Sequence, residues 1–194
     1  MNGLETALNE AMRCKKCRLW ESRTNVVFGE GDLNTKVMLI GEAPGYNEDK
    51  EGRPFVGQAG KMLNETLLKI AGLERNQVYI TNVVKCRPPE NREPAEDEVE
   101  ACFPYLNVQI QSIRPKLIIT LGNIATATLF RKFNLKPASM SQIHGKVFNV
   151  STLSYGSLKI IPSYHPATAL YNPRTLNIMM DDWKIIGEII KTFK

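Results

Sequence analysis

What the chain lacks is the first guide to its class. No apolar run approaches the roughly 20 residues needed to span a bilayer, and residues 1–17 are polar and amphipathic, unlike a signal peptide. We therefore expect a cytoplasmic protein with no membrane partner. The sequence also has no internal repeat and no low-complexity stretch. Its 194 residues suffice for one domain with a real core, and we expect a single domain over residues 1–194.

Acidic side chains are absent from residues 101–180, although the whole chain contains 20 of them. The charged residues of that span are all basic: Arg114, Lys116, Arg131, Lys132, Lys136, Lys146, Lys159 and Arg174. The net charge is only +5, so the basic residues are segregated rather than abundant. This segregation favours a surface that binds a polyanion, and nucleic acid is the polyanion that we expect.

Strand-like and helix-like patterns alternate along the chain. Periodicity predicts helices over residues 3–13, 58–71, 94–112 and 176–192, and a short helix capped by Asn123. Apolar and β-branched runs predict strands over residues 37–41, 78–84, 116–121, 146–150 and 158–161. Such alternation is typical of an α/β fold, here a three-layer α/β/α sandwich with a mostly parallel central sheet.

Polar segments stand at the ends of three predicted strands. They are G-E-A-P-G-Y-N-E-D at residues 41–49, Asn82, and S-Y-H-P at residues 163–166. Ligands of such folds bind beyond the carboxyl ends of the strands, so we expect these segments to converge on a site. The first segment lacks the lysine of a P-loop and the G-x-G-x-x-G spacing, and its carboxylates would repel phosphate.

The four cysteines fall into two groups far apart in the sequence. Cys14 and Cys17 form a C-x-x-C motif among basic residues, whereas Cys86 and Cys102 lie downstream. Basic neighbours stabilise thiolates, thiolates bind metals, and disulfides are rare in cytosolic proteins. Acting together, the four thiolates would form either a tetrahedral zinc site or an iron–sulfur cluster, and their spacing does not distinguish the two.

Several motifs follow one another through nearly the whole chain: C-K-K-C at 14–17, R-T-N-V-V-F-G-E-G at 23–31, G-E-A-P-G at 41–45, R-P-F-V-G at 53–57, T-N-V-V-K-C-R-P-P at 81–89, Cys102, and H-P at 165–166. In this order and spacing they resemble the iron–sulfur-containing family 4 uracil-DNA glycosylases. The resemblance implies a [4Fe–4S] cluster on Cys14, Cys17, Cys86 and Cys102. It also implies hydrolysis of the N-glycosidic bond of deoxyuridine in DNA, which releases uracil and leaves an abasic site.

The resemblance assigns roles in a pocket for an extruded base. Phe55 is implied to stack on uracil, and Gly41 and Ala43 to line the pocket. Asn82 is implied to read the base, because one carboxamide can pair with both N3–H and O4 of uracil. Since a flipped amide would read cytosine, neighbouring groups must fix its orientation. Glu48 is expected either to share in positioning water or to crowd the methyl group of thymine.

Two side chains are expected to act on the bond that breaks. By resemblance His165, even as a neutral imidazole, donates a hydrogen bond to uracil O2, where negative charge develops. Glu42 is the candidate carboxylate that stabilises the oxocarbenium-like sugar and orients water. Glu48 and Asp49 are alternatives for the water, because family 1 enzymes carry an aspartate where this chain has Ala43, one position after Glu42.

Contacts with DNA are expected after His165. Leu170 is the candidate wedge that fills the vacated stack, with Tyr171 as the alternative, and Arg174 is a candidate phosphate contact. His144 is interpreted as structural or as a phosphate contact. The expected partner is uracil-containing DNA, single- or double-stranded, bound by a monomer. The sequence leaves open the strand preference, activity on other deaminated bases, and repair partners.

Two other functions are compatible with parts of the sequence. A metal-stabilised nucleic-acid-binding module would account for the cysteines and the basic span but not for Glu42, Asn82 and His165 at converging strand ends. A nucleotide-binding α/β enzyme would use G-E-A-P-G as a phosphate loop, but the residues of such a loop are missing.

Overall fold

The computed structural model describes residues 3–193 and contains a six-stranded sheet. The strands are β1 (Glu30–Gly31), β2 (Val37–Gly41), β3 (Tyr79–Asn82), β4 (Leu117–Leu121), β5 (Phe148–Thr152) and β6 (Gly156–Ser163). The helices are α1 (Gly3–Met12), α2 (Tyr46–Glu51), α3 (Gln58–Met62), α4 (Leu68–Ile70), α5 (Glu96–Ile113), α6 (Asn123–Lys132), α7 (Met140–Ile143), α8 (Pro166–Tyr171) and α9 (Pro173–Lys191). Among the helices of residues 3–193, none has the length and apolar character needed to cross a membrane.

The strand order across the sheet is β1-β3-β2-β4-β6-β5. The four central strands run parallel, and the two edge strands β1 and β5 pair antiparallel with their neighbours. The predicted three-layer α/β/α sandwich with a mostly parallel central sheet is thus confirmed. Helices must connect the parallel strands because such strands cannot be joined by a tight turn.

Alternating side chains of the buried strands feed two separate cores. In β2, Met38 and Ile40 pack with residues of α1, α5 and α6, whereas Val37 and Leu39 pack with the segment around α3 and α4 and with α9. Trp183 of α9 is fully buried in the second core, and its indole Nε1 donates to Ser163 Oγ (3.1 Å). Fully burying one large apolar side chain contributes about 1.5–3 kcal/mol. Because both cores contain many such side chains, each helical layer is held firmly against the sheet.

Three features of the helices differ from the sequence-based expectation. Asn123 does not cap α6: the cap position is Gly122, which enters the helix at φ 95° and leaves no side-chain cap. The helix predicted over residues 58–71 is divided by a π-helical turn at Leu63–Leu67. The last helix begins earlier, at Pro173, because the Asn172 side chain accepts from the amides that open it.

The second predicted strand is shorter than its apolar run. It ends at Asn82, although Val83 and Val84 are fully buried. Their amides instead donate to the carbonyls of Gly41 (2.9 Å) and Glu42 (3.1 Å). These two hydrogen bonds hold the polar segment after β2 beside the segment after β3, and the candidate site lies at this edge of the sheet.

Candidate active site

The polar segments at the carboxyl ends of the parallel strands converge on one cavity of about 360 Å³. Six of the residues singled out above line it: Glu42, Ala43, Glu48, Phe55, Asn82 and His165. They come from three parts of the chain, after β2, at the end of β3 and after β6. Gly41, which was expected to line the pocket, is not among the lining residues, and neither are Leu170 and Arg174. Pro88, Asn91 and Arg92 line the cavity although they were not expected there.

Asn82 closes the bottom of this cavity. It pairs with Gly41 across the ends of β3 and β2, and its side chain is buried. In residues 3–193, Asn82 Oδ1 is the one buried side-chain oxygen or nitrogen without a hydrogen-bond partner. A Cβ at Gly41 would collide with this oxygen and lie 2.7 Å from Phe55 Cζ, so the pocket requires a bare backbone there. An unpaired buried acceptor costs about 1–3 kcal/mol, which points to a ligand that donates to it.

Phe55 is held beside Asn82 in a strained conformation. Its φ of 51° lies in the left-handed region, where a bulky residue loses about 1–3 kcal/mol. The Arg75 guanidinium donates to the carbonyls of Pro54 (2.5 Å) and Phe55 (3.2 Å) and pairs with Glu30 (2.8 Å). Gly60 approaches so closely that a Cβ there would strike the Phe55 carbonyl. These contacts fix the ring over the cavity.

Arg75 was missed by the sequence analysis because it lies outside every motif. Its partner Glu30 also pairs with Arg53 Nε (2.7 Å), two residues before Phe55. The hydrogen bond from Arg53 and then that from Arg75 lower the pKa of Glu30, so this carboxylate stays charged between the two arginines. Arg53, just before Phe55 in the chain, and Arg75, which contacts the chain at Phe55, are therefore both paired with one anion, Glu30.

His165 faces Phe55 from the other side of the cavity. The two ring centroids are 5.7 Å apart and the planes are tilted by 30°. His165 caps α8, and its Nδ1 accepts from the amide of Ala167 (3.2 Å), which places the proton of the neutral ring on Nε2. Burial lowers the pKa of His165 from 6.5 to about 4, against a smaller opposing effect of Glu48. The imidazole is thus a neutral donor at physiological pH.

The two cavity carboxylates have different surroundings. Glu48 lies on α2, and its Oε1 accepts from the amides of Val56 (2.9 Å) and Gly57 (2.8 Å), which ties it to the Phe55 loop. For Glu42, burial and then the charge of Glu93 raise the pKa above its ordinary value. A raised pKa makes the Glu42 carboxylate a better proton acceptor once it is ionised.

Asp49, the third candidate for holding water, has a structural task. Its buried carboxylate accepts from the amides of Thr24 (2.9 Å) and Asn25 (3.2 Å), and it does not line the cavity. Asp49 thereby joins α2 to the R-T-N motif, leaving Glu42 and Glu48 as the carboxylates at the site.

A second cluster, the cysteine corner, is formed by Cys14, Cys17, Cys86 and Cys102, which line one small cavity. Cys14 and Cys17 follow α1, Cys86 follows β3, and Cys102 lies on α5. Burial raises the pKa of Cys17 and of Cys86, and that of Cys102 to about 12. In the described part of the chain, no group of three or more His, Cys, Asp or Glu side chains is arranged to hold a single metal ion.

Two hydrogen-bond donors approach the sulfurs of this corner. Arg23 Nη1 lies 3.1 Å from Cys86 Sγ, and the Lys85 amide donates to Cys102 Sγ (3.3 Å). Buried thiols resist ionisation, so thiolates would persist here only with a cation or a cationic cluster core to compensate their charge. The donor set therefore fits a metal–sulfur group in its chemistry.

Lys85 connects the cysteine corner to the cavity and was missed by the sequence analysis. Its ammonium is fully buried and donates to Thr81 Oγ1 (2.6 Å), the Asn82 carbonyl (2.6 Å) and Gln109 Oε1 (2.7 Å). The available signal was a lysine inside the apolar run N-V-V-K-C, where solvent exposure is not expected. Lys85 holds the backbone of the residue that closes the cavity.

The residues expected to contact DNA lie outside the cavity. Leu170 is half-buried near the end of α8, whereas the neighbouring Tyr171 is 84% exposed and Arg174 is exposed at the start of α9. His144 Nδ1 lies 2.8 Å from Asp182 Oδ2. Within the acid-free span, Arg131 forms an ion pair with Glu96 from α5.

Comparison with known families decides the relationship of this chain. The family model of the uracil DNA glycosylase superfamily matches residues 28–185, a range that includes every cavity residue named above. The chain belongs to this superfamily.

Relatives within the superfamily align along most of the chain. It is 51% identical to the Type-4 uracil-DNA glycosylase of Sulfurisphaera tokodaii over 194 residues, which is 100% of this chain and 88% of that protein. Identity to the Type-4 uracil-DNA glycosylase of Archaeoglobus fulgidus is 45% over 189 residues, or 97% of this chain and 94% of the relative. The Type-5 uracil-DNA glycosylase of Pyrobaculum aerophilum is 31% identical over 162 residues, 76% of this chain and 68% of its own. The two Type-4 relatives therefore align with more of this uracil DNA glycosylase superfamily chain than the Type-5 relative does.

Proposed function

We propose that this protein is a uracil-DNA glycosylase of the Type-4 kind, a DNA repair enzyme that hydrolyses the N-glycosidic bond of deoxyuridine and leaves an abasic site. The observation that carries the proposal is the buried, unpaired Oδ1 of Asn82 inside a cavity that also holds an aromatic ring and a neutral imidazole. Kinship with proteins named Type-4 uracil-DNA glycosylase supports it.

Recognition of the base follows from the cavity floor. Asn82 Oδ1 accepts from N3–H of uracil, and the amide nitrogen of the same side chain donates to O4. Phe55 stacks on the flat base, and its strained backbone keeps the ring in place before the base arrives. Lys85 fixes the main chain of Asn82 from behind through the 2.6 Å bond to its carbonyl.

Bond cleavage is assigned to His165 and Glu42. As the bond from C1′ to N1 breaks, its electron pair moves to the base, and Nε2–H of neutral His165 stabilises the negative charge on O2. Water attacks the cationic C1′, with Glu42 orienting the water, stabilising the cation and accepting the proton. Glu48 keeps the Phe55 loop closed through its bonds to Val56 and Gly57, and also contributes charge beside the sugar.

The cysteine corner is proposed to bind a [4Fe–4S] cluster through Cys14, Cys17, Cys86 and Cys102. The shared cavity, the burial of Cys86 and Cys102, the Arg23 guanidinium at Cys86 Sγ and the Lys85 amide at Cys102 Sγ support this assignment. When bound, the cluster would cross-link the segment after α1 to α5 and to the segment after β3. Iron and acid-labile sulfide in about equal amounts, at about four of each per chain, would support it. A colourless protein with stoichiometric zinc would contradict it.

DNA contacts beyond the base are proposed for the α8–α9 corner. α8 spans Pro166–Tyr171 and is capped by His165, so the Cα atoms of His165 and Tyr171 are about 9 Å apart along the helix axis. The high exposure of Tyr171 favours it over Leu170 as the wedge, with Arg174 on a phosphate. A monomeric, cytoplasmic enzyme acting on single- or double-stranded DNA belongs to the same proposal.

The test is uracil release from three oligonucleotides: single-stranded, paired as U·G and paired as U·A. Abasic products are cleaved with alkali, and the matched control carries thymine at the same position. Cleavage only of the uracil strands is the expected result. Intact strands together with tight binding would instead indicate a binding module without catalysis. A requirement for added nucleotide would indicate a nucleotide-dependent enzyme.

A further inference from the structure

An exposed aromatic residue and an arginine contact each other next to residues that line the cavity. Tyr46 directly follows Gly45, a lining residue, and is 60% exposed. The Arg87 guanidinium lies over the Tyr46 ring, with Cζ 5.1 Å from the ring centroid. Because the guanidinium covers one face, the large exposed fraction leaves the other side of the ring open to solvent. An open aromatic face beside a base pocket is a surface on which another base can stack.

Arg87 is joined to the cavity wall. Its Nε donates to Asn91 Oδ1 (2.7 Å), and Asn91 lines the cavity together with Pro88 and Arg92. The Tyr46–Arg87 pair is therefore held by the wall rather than isolated on the surface.

The wall itself is strained. Glu90 and Asn91 adopt left-handed backbone angles in succession, with φ of 54° and 56°. Non-glycine residues rarely adopt such angles, and they concentrate where a functional contact fixes the geometry. In this conformation the Asn91 amide oxygen accepts from Arg87, and the same guanidinium lies over the Tyr46 ring.

We propose that Tyr46 and Arg87 form a subsite for the nucleotide that adjoins the extruded uracil. The Tyr46 ring stacks on the neighbouring base, and Arg87 contacts the phosphate that links this nucleotide to the deoxyuridine. The proposal rests on the glycosylase function proposed above. It adds to that function, because Tyr46 and Arg87 are separate from the residues assigned to bond cleavage. The subsite takes any of the four bases, since every base offers a π-face.

The decisive experiment removes the neighbouring base as well as the side chain. Single-stranded oligonucleotides carry uracil with both neighbours intact, or with the 5′ or the 3′ neighbour replaced by tetrahydrofuran. KM and kcat for uracil release are measured for the wild type, Tyr46→Phe and Tyr46→Ala. Binding of the same oligonucleotides with a non-cleavable 2′-fluoro-deoxyuridine is measured by fluorescence anisotropy.

Tyr46→Ala is expected to raise KM and Kd about tenfold on the intact oligonucleotide, as loss of one stacked base predicts. On the oligonucleotide without the stacking neighbour, the same substitution changes both constants less than about twofold, and Tyr46→Phe behaves as the wild type on all substrates. An equal loss on all three oligonucleotides, or no loss on the intact one, would overturn the subsite.

Arg87 is tested by the salt dependence of binding. Arg87→Met is expected to lower the slope of log Kd against log salt by about one, as loss of one phosphate contact predicts. Lys191→Met is the control for loss of one exposed cation, because Lys191 pairs with Glu188 (2.6 Å) in the last turn of α9 and does not line the cavity. Equal slopes for Arg87→Met and the wild type would overturn the phosphate contact.

The outcome for the subsite is separate from that for the glycosylase function. The function is judged from uracil release by the wild type on the intact oligonucleotide. The subsite is judged from ratios between variant and wild type, which the anisotropy measurements give even without catalysis. Binding that depends on Tyr46 and on the neighbouring base in a protein that releases no uracil would refute the enzyme and keep the nucleotide contact.

Discussion

The base cavity and the cysteine corner lie at the two ends of one short segment, from Asn82 to Cys86, yet their polar groups are arranged in opposite ways. In the cavity, the carbonyls of Asn82 and Phe55 and the Nδ1 atom of His165 accept hydrogen bonds, while Asn82 Oδ1 has no partner. In the corner, the four cysteines line one small cavity, and the Arg23 guanidinium contacts Cys86 Sγ. The cavity thus leaves a hydrogen-bonding atom free for a ligand, which lowers the stability of the free protein. The corner brings together groups that we expect to stabilise the fold.

This contrast separates two kinds of variant. Substitutions in the cavity should remove rate and spare stability, whereas substitutions in the corner should remove stability and spare the chemistry of molecules that remain folded. Lys85 belongs to both regions, because its amide contacts Cys102 and its ammonium holds Asn82. A cavity variant that loses mainly stability, or a corner variant that loses mainly rate while folded, would contradict this contrast.

The largest effect on rate is expected for Asn82→Ala. Loss of both hydrogen bonds to uracil should reduce single-turnover release by about 100-fold or more, as removal of a catalytic donor commonly does. The melting temperature should stay equal or rise, because the alanine removes a buried acceptor that has no partner in the free protein. Excision assays and thermal unfolding measure the two quantities.

The control is binding of uracil-containing DNA, which Asn82→Ala should largely retain. Loss of binding together with a lower melting temperature would mean that Asn82 is structural, and the cavity would then resemble the corner.

The largest effect on stability is expected for Cys14→Ser. Loss of a ligand of the proposed cluster should lower the free energy of unfolding by about 3–5 kcal/mol, in the range typical of a lost metal site. The folded fraction should release uracil within about fivefold of the wild-type rate, because Cys14 does not line the cavity. Urea unfolding, iron content and active-site titration provide the readouts. Cysteine variants that are all folded and all inactive would contradict this division.

Lys85→Met tests the connection between the two regions. It leaves Thr81 Oγ1, the Asn82 carbonyl and Gln109 Oε1 without their shared donor, a loss of about 2–3 kcal/mol in unfolding free energy. Release of uracil should also fall, by about tenfold, because the Asn82 backbone is no longer held. Lys85→Arg is the conservative comparison, and Lys184→Met, on an exposed ion pair, is the control for charge. A stability loss with an unchanged rate would confine Lys85 to the corner.

Much of the sheet was predictable because its central strands are continuous apolar runs. The run from Val37 to Gly41 is a strand over its whole predicted length. The strand predicted over residues 78–84 was too long, because Val83 and Val84 are buried in a turn. Their amides bond to the carbonyls of Gly41 and Glu42 and not to a neighbouring strand. Hydrophobicity reports burial, but the hydrogen-bond partner decides whether a buried segment is a strand.

The site was predictable where motif and strand end coincide, as for Glu42, Asn82 and His165. It was not predictable where a side chain acts at a distance in sequence. Arg75 reaches the carbonyl of Phe55 from 20 residues away, and Gln109 reaches Lys85 from 24. Such partners carry no local pattern, because only the packed fold brings them together.

The smallest effect concerns the pH dependence of stability through His165. Its pKa is about 4 in the folded protein, lowered by burial, and 6.5 as the unperturbed value. Between these values the unfolded chain binds more protons than the folded one, so the free energy of unfolding rises with pH through this window and is lost as pH falls. From pH 6.5 to 5.5 the loss is about 1 kcal/mol, and the difference in unfolding free energy between wild type and His165→Gln isolates it.

The sign of that difference distinguishes two states of the cavity. If His165 is a neutral donor, the wild type loses stability relative to His165→Gln as pH falls below 6.5, because folding must keep the imidazole uncharged. If the imidazole is instead held as a cation by Glu48, the wild type gains stability relative to the variant over the same window. The second result would remove the neutral donor to uracil O2 and would make the cavity, like the cysteine corner, a site whose charges are compensated before any ligand binds.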